Sequence, residues 1–116
     1  VASANWLASA KLAALRVGEG LLVDFGSTTT DVLALAGGAV AHEGVTDRER
    51  LATGELVYTG LTRAPVMALA AEAPFAGRRV AVMNELFATT ADVYRVLGLL
   101  AESADQHPAA DGVGRL

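Results

Sequence analysis

The sequence predicts an α/β (α+β) fold, with a mixed sheet that begins with an antiparallel meander and is flanked by helices. Three observations support this prediction. The Ala- and Leu-rich residues 3–16 have helical apolar spacing and stop before Gly18. Two short apolar runs, residues 21–23 and 32–35, lie on either side of a polar turn, as in a pair of strands. Residues 89–101 repeat apolar side chains at helical spacing and predict a second helix.

Length and composition limit the architecture. The chain has 116 residues, of which 53% are hydrophobic and 19% are charged. That length fits one domain, on the usual prior of roughly 100–200 residues. The apolar content excludes intrinsic disorder over most of the chain. We therefore predict a single domain over residues 1–116, and because the chain starts at Val1 rather than methionine, we expect it to be a piece of a longer protein.

The first elements follow from local signals. Ser3 is a candidate N-cap of the first helix, and the apolar stripe that starts at Trp6 predicts packing onto a sheet. The Gly37-Gly38 pair is a strong hairpin signal between the second strand and a third strand at residues 39–43. These three strands form the predicted antiparallel meander.

The later elements have weaker signals. Residues 46–51 predict a short capped helical turn, and residues 56–59 predict a strand. The apolar run at residues 66–71 is too short for periodicity to separate a helix from a strand. Residues 80–83 predict a buried strand, because four apolar side chains follow one another there.

Charge and composition exclude several classes of function. Nine basic and thirteen acidic residues give a net charge of −4, so we expect no nucleic-acid partner. The longest stretch without a charged residue, residues 32–42, is far shorter than the roughly 18–20 residues of a membrane span, so we expect no membrane partner. The absence of cysteine excludes disulfides, thiolate zinc sites and a cysteine nucleophile. It fits a cytoplasmic location, which is our expectation.

Other polar residues have ordinary explanations. His42 and His107 have no histidine or cysteine at ligand spacing, so we do not expect either to bind a metal. The alternating charges of residues 47–50 are typical of a solvated helix face. Residues 105–114 contain a proline and glycine and predict a turn or loop.

The turn between the first two strands concentrates residues that bind phosphate. Asp24 and Asp31 enclose Gly26 and a run of four hydroxyl residues. Such a turn brings N–H and O–H groups toward an anion, and Gly26 allows either a positive φ or a close approach to a ligand. Carboxylates on both sides suit Mg²⁺ and a phosphate. The alternative is that these residues only form the turn, with the two aspartates bonding to the backbone.

Residues 22–32 resemble the second phosphate-binding turn of the superfamily of acetate and sugar kinases, heat-shock chaperones and actin. Hydantoinases and oxoprolinases carry this turn as Asp-x-Gly-Gly-Thr-x-Thr-Asp-Val, and Ser27 replaces its second glycine here. Residues 4–6, 44–47, 51–60 and 83–94 are similar to the hydantoinase/oxoprolinase-like proteins of the tetrahydromethanopterin-linked one-carbon pathway, whose archaeal relatives are synthases of methanofuran biosynthesis. No stretch matches the family's first phosphate turn, so the resemblance implies a central fragment.

The resemblance implies a ribonuclease-H-like, actin-like ATPase lobe of a two-lobed transferase. Its reaction would join a furanylmethyl diphosphate to the phenol of glutamyl-tyramine, with loss of pyrophosphate. On this view Asp24 and Asp31 are catalytic and hold Mg²⁺, and the diphosphate or ATP is bound by Gly26, Ser27, Thr28, Thr29 and Thr30. Asn84 would face the same cleft, and Glu85 would deprotonate the phenol.

Two other classes of function stay open. One is an ATP-dependent hydantoinase or oxoprolinase, or a relative of the sugar kinases. The other is a domain used for interaction, in which the turn is only structural. For the enzymes, the partner is a phosphorylated small molecule. Half of the family's cleft has no match in this chain, so a complementary lobe or a homo-oligomer would complete it.

Overall fold

The computed structural model describes residues 5–104, which fall into two compact units divided between Tyr58 and Thr59. The first unit contains α1 Asn5–Val17, β1 Gly20–Phe25, β2 Thr30–Ala36, β3 Ala39–Ala41, α2 Asp47–Thr53 and β4 Leu56–Val57. The second unit contains α3 Val66–Leu69, β5 Glu72–Phe75, β6 Arg78–Ala81 and α4 Thr90–Val96. The expected Ser3 cap, the expected loop at residues 105–114 and His107 lie outside the described residues. The single domain predicted from length stays a prediction.

The antiparallel meander is confirmed. Strand β1 pairs with β2 along its whole length, and β3 pairs with the end of β2. Gly37 and Gly38 form the β2–β3 turn with φ of 59° and 74°, which matches the left-handed pair that a tight hairpin requires. Strand β4 pairs with the start of β2, at Thr30 and Asp31. Since β1 occupies one edge of β2 entirely, β3 and β4 share the other edge.

Helix α1 packs on one face of this sheet, as its apolar stripe predicts. Ala10 and Ala14 are fully buried, and their small side chains allow the helix to approach the strands closely. Leu33 and Leu35 alternate along β2 and fill the core beneath the helix; Leu33 is 0% exposed. On the opposite face of the sheet, Leu21 is 63% exposed.

The second unit differs from the prediction. The buried strand expected at residues 80–83 is wrong, because β6 runs over Arg78–Ala81 and is exposed throughout. It forms a hairpin with β5 through a turn at Ala76 and Gly77, and the arginine pair begins the strand. The hairpin forms a two-stranded sheet of its own, and all four residues of β6 are exposed. A continuous apolar run therefore does not mean burial here.

Helix α4 is confirmed but shorter than the predicted span of residues 89–101. It ends at Val96, where Gly98 adopts a left-handed φ of 71°. The N–H of Gly98 donates to Arg95, and the N–H of Leu99 donates to Tyr94, which is the Schellman pattern of a glycine-terminated helix. The apolar run at residues 66–71 contains the short helix α3.

The sheet topology corrects one part of the fold prediction. Every strand pairing within residues 5–104 is antiparallel, so the sheet formed here is not mixed. The predicted mixture of helices and strands is confirmed, with antiparallel sheets, whereas the ribonuclease-H-like lobe stays a prediction. In the same part of the chain, each helix is too short or too polar to span a membrane.

Burial of only one sheet face yields a stability prediction. Leu33→Ala should lower the free energy of unfolding by about 2–5 kcal/mol, because it leaves a cavity beneath α1. The matched control Leu21→Ala, on β1, should change it by less than about 0.5 kcal/mol, because that side chain is already exposed. Urea unfolding of the two variants checks this. Equal losses would show that both faces of the sheet are covered.

Candidate functional site

The turn that the sequence singles out closes strands β1 and β2. Phe25 and Thr30 form the last pair of the ladder, and residues 26–29 connect them. The N–H of Gly26 donates to the carbonyl of Thr29 over 2.8 Å. A Cβ atom at Gly26 would lie 3.0 Å from that carbonyl oxygen, so any larger residue would be in tight contact with Thr29. Gly26 does not adopt the left-handed φ that was one of its two expected roles.

The two aspartates of the turn share one face of the sheet. Asp24 and Asp31 are register partners, and partners across an antiparallel ladder have Cβ atoms about 4.5–5.5 Å apart. Their surroundings differ. Asp24 is exposed, and its side chain has no ion pair or hydrogen bond with another residue in the described part of the chain. Asp31 forms an ion pair with Arg50 and is largely covered.

The hydroxyl residues divide in a similar way. Ser27 is exposed, and Thr28 and Thr29 are half-buried at the tip of the turn. Thr30 is 7% exposed and belongs to β2, where it pairs with Val57. The tip therefore presents three hydroxyl groups, and the fourth lies within the sheet. Their role as phosphate donors stays a prediction.

Arg50 is the residue that sequence reasoning misjudged most. It is 1% exposed, although the charge run at residues 47–50 predicts a solvated helix face. Its guanidinium lies 3.9 Å above the ring centroid of Trp6, and its Nη2 donates to the carboxylate of Asp31. Nη2 also donates to the carbonyl of Glu55 over 3.3 Å. Only tertiary contacts distinguish Arg50 from the exposed Arg48 of the same helix.

The N-terminus of α2 sets the position of the helix that carries Arg50. Thr46 and Glu49 form a capping box, in which Glu49 N–H donates to the Thr46 hydroxyl and Thr46 N–H donates to the Glu49 carboxylate. Hydrogen bonds from the backbone of Thr46 and Val45 hold the pKa of Glu49 below its usual range. A Cβ atom at Gly44 would lie 2.6 Å from Arg50 N, so only glycine fits against the helix here.

Glu55, which follows α2, anchors the loop that precedes this helix. Its carboxylate accepts hydrogen bonds from Glu43 N–H at 2.7 Å, Gly44 N–H at 2.8 Å and the Thr53 hydroxyl at 2.9 Å. Burial raises the pKa of Glu55, but the bonds from Glu43, Gly44 and Thr53, together with the charge of His42, outweigh it and place the pKa below 4.5. The side chain is 9% exposed. No sequence signal marked this residue as an anchor.

His42 contacts Trp6 and Gly44, two residues that also lie beside Arg50. Its ring meets the Trp6 ring edge-on, with centroids 5.8 Å apart, and its Nδ1 lies 3.1 Å from the carbonyl of Gly44. A groove of about 340 Å³ lies between α1 and β3, next to His42, with Lys11 also on its wall. None of the predicted phosphate-binding residues lines it.

Asn84 and Glu85 lie elsewhere in the chain. Both are exposed in the loop that follows β6, in the second unit, whereas the turn belongs to the first. Their predicted roles therefore stay predictions. Within residues 5–104, no three acidic or histidine side chains cluster closely enough to form a metal site from protein groups alone.

Comparison with known proteins assigns the whole chain to one family. The family model described as hydantoinase/oxoprolinase matches residues 1–116. A protein of Methanocaldococcus jannaschii named (4-{4-[2-(gamma-L-glutamylamino)ethyl]phenoxymethyl}furan-2-yl)methanamine synthase is 38% identical over 116 residues, which are 99% of this chain and 35% of that protein. A protein of Methanococcus vannielii with the same name is 38% identical over 92 residues, 79% of this chain and 41% of the relative. The chain thus spans well under half the length of these two relatives.

The Glu55 anchor yields a prediction about stability and pH. Glu55→Gln should lower the free energy of unfolding by about 1–3 kcal/mol at neutral pH, because an amide cannot accept all three hydrogen bonds. Glu43→Gln, whose side chain is exposed, is the matched control and should change it little.

The difference between wild type and Glu55→Gln should also depend on pH. Because the folded state lowers the pKa of Glu55, its stabilisation is complete above the unfolded value of 4.5 and is lost as the pH falls through the lower folded value. Urea unfolding at a series of pH values measures this. A difference that stays constant in acid would contradict the assignment of Glu55 as a charged anchor.

Proposed function

Because the chain belongs to the hydantoinase/oxoprolinase family, we propose that it carries the diphosphate-binding turn of a transferase that forms an aryl ether in methanofuran biosynthesis. The name of the two relatives describes a product in which a phenoxymethyl ether links a furan to a glutamylaminoethyl arm. The proposed reaction makes that ether. The phenol oxygen of glutamyl-tyramine bonds to the methylene carbon of a furanylmethyl diphosphate, the carbon–oxygen bond to phosphate breaks, and pyrophosphate and the phenolic proton leave.

Such a displacement needs a site that stabilises the negative charge of the leaving diphosphate. The exposed carboxylate of Asp24, opposite Asp31 in register at a turn tipped with Ser27, Thr28 and Thr29, is the observation that carries this proposal. Hydroxyl groups there donate to phosphate oxygens. A carboxylate beside them would hold a divalent cation.

The donor set fits Mg²⁺ in one particular mode. Mg²⁺ is usually bound by one or two carboxylates together with water and substrate phosphates, rather than by a cage of protein groups. Asp24 supplies such a carboxylate, and the described residues contain no acidic cluster that would form a cage. When bound, Mg²⁺ neutralises charge on the leaving diphosphate. The turn itself orients the diphosphate.

The family description also supports a second candidate, an ATP-dependent hydantoinase or oxoprolinase. In that case the same turn binds the phosphates of ATP instead of a furanylmethyl diphosphate. The two candidates share Asp24 and the hydroxyl tip, and they differ in the ligand that stabilises the chain.

A thermal-shift titration of the 116-residue chain separates these candidates. Mg²⁺ with pyrophosphate should raise the melting temperature, since ligand at 100 times its dissociation constant adds about 2.7 kcal/mol of stability. Asp24→Asn should abolish the shift. Glu19→Gln removes the same charge from an exposed residue at the far end of β1 and should retain it.

The other outcomes are equally informative. Stabilisation by Mg²⁺-ATP, with none by pyrophosphate, would favour the hydantoinase candidate. No response to either ligand would contradict phosphate binding and leave an interaction domain. A shift that survives in Asp24→Asn would show that the assigned carboxylate is wrong.

A further inference from the structure

Arg50 is held by groups from three different parts of the first unit. Trp6 of α1 covers one face of the guanidinium at 3.9 Å, and Asp31 of β2 accepts from its Nη2. The carbonyl of Glu55, just before β4, accepts from the same nitrogen at 3.3 Å. Because α2, α1 and the sheet all constrain it, this side chain has little freedom to leave Asp31.

Stability alone does not account for a charge in this position. A buried ion pair gains little over apolar side chains of similar volume, because both charges lose their water. Burial costs Arg50 more hydration free energy than usual, since its buried Nε has no hydrogen-bond partner among the described residues. The placement of Arg50 is therefore explained better by what it does to Asp31 than by the stability that it adds.

The effect on Asp31 is electrostatic. Asp24 and Asp31 are register partners, and two free carboxylates at this spacing would both attract a divalent cation and would both repel a diphosphate. Arg50 neutralises Asp31 and leaves Asp24 unpaired in the described part of the chain. The turn then carries one effective negative charge instead of two.

We infer that Arg50 is a positioning residue that keeps Asp31 away from the cation, so that Asp24 alone is the carboxylate that binds it. The inference rests on the proposed function, because it assigns roles within the same phosphate-binding turn. Asp31 is then an anchor of the turn and not a metal ligand. This separates the roles of two residues that the sequence pattern treats alike.

Mn²⁺ binding to the full 116-residue chain, followed by the electron paramagnetic resonance signal of free Mn²⁺, tests this without any phosphate. Asp24→Asn should abolish binding, whereas Asp31→Asn leaves the Arg50 cation unpaired beside the turn and should weaken binding only about tenfold. Arg50→Met should raise the affinity about tenfold, the effect of one unpaired carboxylate within roughly 5 Å of a divalent cation in water. Arg50→Lys keeps a positive charge beside Asp31 and should resemble wild type.

The double variant Arg50→Met/Asp31→Asn distinguishes this role from a merely structural one. Removing the carboxylate that Arg50→Met has released should return the Mn²⁺ affinity to the wild-type value. General damage to the fold would instead lower the affinity in both variants. Circular dichroism of each variant checks folding, and Arg50→Met/Asp31→Asn and Arg50→Lys still test the inference if Arg50→Met fails to fold.

Pyrophosphate affinity is measured separately in the same variants. Arg50→Met should weaken it while strengthening Mn²⁺ binding, because the turn gains a negative charge. If wild type binds Mn²⁺ but not pyrophosphate, the proposed function fails and the Mn²⁺ series still decides the role of Arg50. Loss of Mn²⁺ binding in Arg50→Met/Asp31→Asn as complete as in Asp24→Asn, or no Mn²⁺ binding in any variant, would overturn the inference.

Discussion

The contact between Arg50 and Asp31 is the constraint that sets the charge of the candidate site. It joins helix α2 to strand β2 at the point where β2 leaves the hydroxyl-rich turn. Trp6 closes the other side of the guanidinium and brings α1 into the same assembly. Gly44 and Glu55 keep the loops around α2 in position, the first by its lack of a side chain and the second by accepting three hydrogen bonds. These contacts connect the turn to both helices of the first unit.

Local information in the sequence was enough for the meander and for α1. The Gly37-Gly38 pair specifies a tight left-handed turn, and the spacing of alanines along α1 specifies one apolar face; both depend on neighbours in sequence. Arg50 was missed because its partner Asp31 lies 19 residues earlier, and its own helix alternates charge as a solvated helix does. Burial at residues 80–83 was wrong for a related reason, since hydropathy alone does not show whether another layer covers a strand. The early end of α4 did have a local signal in Gly98.

The sequence predicted which residue types form the candidate site but not which of its two carboxylates is paired with a cation. The residue types of the turn, and its resemblance to the hydantoinase/oxoprolinase family, were visible in the sequence, and the family is confirmed over residues 1–116. The two aspartates looked equivalent, because spacing does not show which carboxylate has a buried cation beside it. In the structure they are distinct, with Asp24 exposed and Asp31 paired. In the proposed site, a polyphosphate and its cation would therefore meet one free carboxylate, which suits a ligand that brings its own negative charge.

A crystal structure of the chain with Mn²⁺ and pyrophosphate would show which carboxylate binds the cation, because anomalous scattering locates Mn²⁺ independently of the protein. We expect a Mn²⁺ peak within about 2.0–2.4 Å of the Asp24 carboxylate and of diphosphate oxygens, with Asp31 still bound to Arg50. A peak coordinated by Asp31, with Arg50 displaced from it, would contradict the assignment of the two carboxylates. A peak remote from the β1–β2 turn would contradict the site itself.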